Sequence, residues 1–103
     1  MAKESLRRIE KRIQALKSRL AKLGDLRPGT LSVQYRDPRE RKKPFNQISY
    51  THKGKSRSEY VRPQHLQAVR RELATYRTFK ATVDEIIDLS IKASRIRSNT
   101  RTP

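Results

Sequence analysis

The sequence predicts an α+β fold in which two long helices pack as an antiparallel, coiled-coil-like hairpin, with a small two- to three-stranded antiparallel sheet inserted between them and capping one end. Three observations lead there. Apolar residues recur at heptad spacing from Leu6 to Leu23, and again from Leu66 onward. The stretch between them alternates apolar with polar residues and is punctuated by Pro and Gly, as strands and their turns are. At 103 residues without an internal repeat, the chain is expected to form one domain over 1–98, with a frayed tail over 99–103.

The first helix is expected over 2–23. Leu6, Ile9, Ile13, Leu16, Leu20 and Leu23 are spaced 3, 4, 3, 4, 3, an unbroken a/d seam. Gly24 stands where a left-handed cap would close the helix, and Lys22 lies in the last turn, where the helix dipole favours a cation. Arg7, Arg8, Lys11, Arg12, Lys17 and Arg19 lie off the seam and give the helix a cationic outer surface.

A β region is expected over 31–61. Arg27-Pro28-Gly29-Thr30 suits a type II turn, after which Leu31, Val33 and Tyr35 alternate with Ser32 and Gln34. RDPRERKKP, residues 36 to 44, then reads as an irregular connection, since Pro38 and Pro44 limit regular structure. FNQISYT (45–51) and SRSEYV (56–61) flank His52-Lys53-Gly54 and form a hairpin. A three-residue turn with Gly54 in the left-handed bulge position pairs Tyr50 with Ser56, Ile48 with Ser58 and Asn46 with Tyr60. A two-residue turn would instead set Ile48 opposite Glu59; the first register is preferred. It places Ile48, Tyr50 and Tyr60 on one face, where the two tyrosines are expected to pack on the helices rather than stack on bases.

The second helix is expected over 63–97, opened by Pro63 at a position where the missing N–H costs nothing. Its seam runs through Leu66, Val69, Leu73, Tyr76 and Val83 to Ile86 or Ile87, with Lys80 intruding and Phe79 filling in beside it. Paired from the sheet outward, Leu23 would meet Leu66, Leu20 Val69, Leu16 Leu73, Ile13 Tyr76 and Leu6 Val83. The first helix would then be roughly 31 Å long and the second roughly 52 Å, which leaves the far end of the second uncovered. That end carries Ile86, Ile87, Leu89, Ile91 and Ile96, and the expectation is that it forms a homodimer or partner interface, unless the helix breaks near Ser90 and folds back.

Net charge is the strongest pointer to function. The chain carries 26 Lys and Arg against 10 Asp and Glu, a formal +16 that divides as +6 over 1–24, +6 over 25–62 and +4 over 63–103. A field spread so evenly concentrates polyanions, of which nucleic acid is the commonest in a cell. The expected partners are DNA or RNA, contacted by Arg36, Arg39, Arg41, Lys42 and Lys43 on the connection and Lys53, Lys55 and Arg57 at the hairpin tip. Phosphate contacts of this kind give affinity without sequence choice.

Other classes fit less well. His52 and His65 are the only histidines, and no Gly-rich phosphate loop or nucleophile elbow accompanies them, so a non-enzymatic protein is expected. With no cysteine and no metal-ligand spacing, neither a cofactor nor a metal is expected. The heptad face of the first helix lacks Trp and Phe and suits a helix partner better than lipid, and no long apolar run or leader-like segment is present. A cytoplasmic protein without a membrane partner is the expectation.

The segment from Arg27 to Arg97 also resembles a known family through RPGTLSVQY, PFNQISYTHKGKSRSEYV and the helix that opens RPQHLQAVRRELATYRTFKATVDEIIDLS. These are short, functionally uncharacterised bacterial proteins often encoded beside transposases. The resemblance implies a mobile-element or phage setting and contact with a nucleoprotein. The competing reading is a protein adaptor that docks on a larger nuclease, transposase or other nucleoprotein, with the apolar stripe at 84–96 as its hallmark. Many members carry a metal-binding type of cysteine cluster after the tyrosine matching Tyr35, where this chain has RDPRERKKP.

Overall fold

In a computed structural model, which describes residues 2–101, the order is α1 (Ala2–Ala21), β1 (Thr30–Asp37), β2 (Lys42–His52), β3 (Lys55–Val61) and α2 (Leu66–Arg101). A 3-10 turn, Pro63–His65, precedes α2, with Pro63 in its first turn and the His65 amide donating to the Arg62 carbonyl at 2.9 Å. The fold is α+β: two helices and a three-stranded antiparallel sheet that lies between them in sequence, in the order β1-β2-β3. The described residues divide into two compact units, one made of the chain up to Leu23 with the part from Thr78 onward, the other of Gly24–Arg77.

The sheet unit is built on Ile48. This residue is fully buried and clusters with Val61 of β3 and with Val69 and Leu73 of α2, flanked by Leu31 of β1 and Leu66. Burying one such side chain contributes roughly 1.5–3 kcal/mol, so Ile48 and its neighbours account for much of what holds the first turns of α2 against the sheet.

The hairpin register is the two-residue one. Ile48 faces Glu59, Tyr50 faces Arg57, Gln47 faces Tyr60, and His52 faces Lys55 across a turn of Lys53 and Gly54. Both turn residues have positive φ, 53° and 77°, the signature of a type I′ turn whose twist matches the strands it joins. The three-residue turn expected from sequence would have needed only Gly54 in the left-handed region; Lys53 enters it as well, and the register moves by one. Since paired residues share a face, Tyr60 leaves the side of Ile48 and Tyr50 for the opposite one.

Other local expectations are corrected too. No turn forms at Arg27-Pro28-Gly29-Thr30, because residues 23–29 run as irregular backbone whose Arg27 amide donates to the Glu72 carbonyl at 3.3 Å. RDPRERKKP is mostly strand: β1 reaches Asp37, β2 begins at Lys42, and only residues 38–41 turn. Gly24 is not left-handed; α1 closes instead with tight bonds from the Lys22 and Leu23 amides to the Arg19 and Leu20 carbonyls. α2 continues unbroken through Ser90, and Asn99 to Arg101, expected to fray, are helical, while residues 102–103 of the expected tail lie outside the described residues.

In the helical unit Ile9 and Ile13 of α1 bury against Ala93 of α2, with Leu6, Ile86, Leu89 and Ile96 packed around them. Arg12 Nε donates to Glu85 Oε2 at 3.0 Å and Arg97 Nη2 to Glu10 Oε2 at 2.8 Å. Ile13 therefore meets Ala93 rather than Tyr76, and Leu6 lies among residues 86 to 96. Three of the five residues expected to wait for a partner, Ile86, Leu89 and Ile96, are covered by α1 itself. Ile87 and Ile91 stay exposed, at 48% and 46%. The seam of α2 also departs from a strict heptad: Tyr76, Phe79 and the buried Thr82 follow one another at three-residue steps before Ile86, Leu89, Ala93 and Ile96 restore the heptad spacing. Thr82 is accommodated because its hydroxyl donates to the Thr78 carbonyl at 2.7 Å.

Candidate nucleic-acid interface

The expected phosphate-contacting residues all lie in the sheet unit, and all are exposed. Arg36 is on β1, Arg39 and Arg41 are in the β1–β2 turn, and Lys42 and Lys43 open β2. Lys53 is in the β2–β3 turn, with Lys55 and Arg57 on β3. Consecutive hairpins turn at opposite ends of their shared strand. β2 has 11 residues. At about 3.4 Å per residue the two basic tips are therefore roughly 34 Å apart. The structure gathers five of these cations at one tip and three at or near the other, and does not merge the two groups.

The first tip is held by its own acids. Asp37 Oδ1 accepts the Glu40 amide at 3.4 Å, and Lys42 Nζ pairs with Glu40 at 2.8 Å. Arg41 and Lys43 adopt φ of 54° and 56°, a left-handed conformation that L-residues enter at a cost of about 1–2 kcal/mol each.

The two faces of the sheet differ in chemistry. On the inner face Glu59 is gripped by Arg27 Nη2 at 2.8 Å and by the Tyr50 hydroxyl at 3.1 Å, while the Arg27 guanidinium sits 5.3 Å from the centre of the Tyr50 ring. The hydrogen bond from Arg27, then that from Tyr50, holds the Glu59 carboxyl below its ordinary range. Tyr50 is thus committed to structure.

The outer face is nearly all hydroxyls and amides. Ser49 and Ser58 lie 3.3 Å apart across β2 and β3, Thr51 and Ser56 3.0 Å apart, and Gln34 Nε2 donates to Ser32 Oγ at 3.2 Å. Among them stand two rings. Phe45, half-buried, meets Tyr60 with centroids 6.2 Å apart and planes at 56°. Strand alternation puts Arg36 on this same face.

No family model, curated protein or solved structure matches the chain. The site is accordingly read from its own chemistry. His52 ends β2 and His65 lies in the 3-10 turn, both exposed, and among the described residues no group of three or more His, Cys, Asp or Glu is placed to hold a metal. No described helix is long and apolar enough to cross a membrane.

Reading the residues in sequence found the cations and missed the outer face. Its signal was present as Ser, Thr and Gln at alternate positions in 30–34, 47–51 and 56–58. Only the correct register shows that these three rows fall side by side.

Proposed function

We propose that this chain is a small, basic, non-enzymatic nucleic-acid-binding accessory protein of a mobile element or phage, which grips phosphate backbone with its β1–β2 turn and β2–β3 hairpin. The observation that carries this reading is the placement of exposed cations at both ends of one sheet, so that a polyanion laid along it meets positive charge at each end. The mobile-element setting comes from the resemblance of residues 27–97. In this reading α1 and the second half of α2 form the coiled-coil-like hairpin of a cytoplasmic protein, supported by the Ile9, Ile13 and Ala93 cluster. Equilibrium binding to nucleic acid over a range of salt tests it. Each neutralised phosphate adds about 0.7–0.9 to the slope of log affinity against log salt, so replacing Arg39, Arg41, Lys42 and Lys43 by Ala should flatten that slope by up to about 3.6. Equal slopes for parent and variant would remove the turn from the site.

A second reading is an adaptor that docks on a larger nucleoprotein or on a second copy of itself. It is favoured by Ile87 and Ile91, exposed beside Ser90, Ser94 and Arg95 along α2. If this edge is an interface, replacing both isoleucines by Glu lowers the solution mass of the free protein or abolishes partner binding. Unchanged mass and retained binding would rule it out.

A further inference from the structure

The register of the β2–β3 hairpin moves Tyr60 to the outer face of the sheet, and this has a chemical consequence. Tyr60 is 55% exposed, although large aromatic side chains usually find cover. The clustered apolar side chains of α2, Val69 and Leu73, lie on the inner face with Ile48 and Val61, leaving the outer one to polar residues and the ring pair. We propose that this outer face binds single-stranded nucleic acid, stacking unpaired bases on Tyr60 with Phe45 as its support. The inference rests on the nucleic-acid reading above and adds the strandedness and the stacking residue.

Three features select this occupant. The face is bracketed by exposed cations, Arg36 to Lys43 at one tip and Lys53 with Lys55 at the other, so whatever lies along it is an anion. A duplex keeps its bases stacked on one another, and the flat side of an aromatic ring can meet a base only where the base is unpaired and splayed. The remaining side chains, chiefly Ser, Thr and Gln, offer hydrogen bonds rather than the apolar core of a protein interface.

The geometry assigns roles within the pair. At 56° only one ring can lie parallel to a given base. Tyr60, the more exposed, is that platform, and the half-buried Phe45 holds it from the side in the tilted contact aromatic pairs favour. Gln47 stands directly across from Tyr60 and Gln34 directly across from Phe45. Their amides are within reach of the edges of bases stacked there.

The test uses the whole protein with labelled oligo(dT), oligo(U) and a labelled duplex, comparing the parent with Tyr60→Phe and Tyr60→Leu. Stacking is worth about 1–3 kcal/mol per base, so Tyr60→Leu should weaken single-strand binding about 5- to 150-fold with an unchanged salt slope, while Tyr60→Phe stays close to the parent. Oligonucleotide should also quench tyrosine emission in the parent, and less in Tyr60→Phe even though that variant binds. This second readout holds if Tyr60→Leu fails to fold. Tighter binding of either single strand than of duplex is expected. Single-strand binding that Tyr60→Leu leaves intact, or a preference for duplex, overturns the stacking proposal while a steep salt slope keeps the broader reading standing. Absence of binding to all three polymers removes both.

Discussion

Gly29 and Glu59 show how single residues set the inner face. Gly29 has a φ of 142°, and a Cβ there would lie 2.8 Å from Ile48 Cγ1. Its lack of a side chain is what lets the chain entering β1 close over the buried isoleucine, a role different from the turn its pairing with Pro28 implied. Glu59 is tied by Arg27 and Tyr50, and its folded pKa is depressed below the ordinary 4.5. A depressed carboxylate contributes stability that is fully present above its unfolded pKa and is lost as pH falls through the folded one. Because the pair is exposed, the contribution at neutral pH should be no more than about 1 kcal/mol. Glu59→Gln is thus expected to melt slightly below the parent at pH 7, with the difference shrinking as the pH drops below 4.5. Melting curves of both proteins across that window check it, and a gap that does not change with pH would mean Glu59 is not the titrating group.

At the scale of elements, what could be read in sequence was period, and what could not was offset. Heptad spacing in 6–20 and alternation in 31–35 announce a helix and a strand, and both are there, as α1 and β1. But a seam that repeats every few residues matches its partner at many offsets, so nothing in Ile9 or Ile13 said that they meet Ala93. Ala93 itself, small and flanked by Lys92 and Ser94, gave no apolar signal at all. The hairpin posed the same difficulty. Two turns were compatible with His52-Lys53-Gly54, and the choice depended on whether a lysine would accept left-handed backbone, against its intrinsic preference. The two-residue turn sets Ile48 against Glu59 and Val61 against Asn46, and both apolar residues are buried in one cluster. That burial outweighs the strain at Lys53. Asn tolerates the same conformation at less cost, so Lys53→Asn should raise stability by up to about 1 kcal/mol without altering the pairing. Denaturant unfolding reads this directly, and a destabilised variant would show that Lys53 contributes something besides backbone.

At the scale of the whole molecule, charge decides how the protein responds to its solvent. Glu10, Glu85, Glu59, Glu40 and Asp84 are engaged by Arg97, Arg12, Arg27, Lys42 and Lys80. Against 26 cations those pairs leave a large surplus, with a net charge of +16. Salt acts on both populations in opposite directions. Screening weakens the pairs, which at exposed sites contribute about 0.2–1 kcal/mol each. It also relieves repulsion among the remaining cations, whose reach shortens from about 30 Å at 0.01 M to about 10 Å at 0.1 M. The pairs lose least, because their partners are in contact and well inside the Debye length, whereas the repulsion acts between charges farther apart and is the term screening removes. The melting temperature of the free protein should therefore rise with monovalent salt over the same range in which affinity for nucleic acid falls. The two trends share one cause, since counterions compete for the surface that a phosphate backbone would occupy. A melting temperature that falls with salt would mean that the ion pairs outweigh the surplus charge, and that the field of the molecule is weaker than its composition implies.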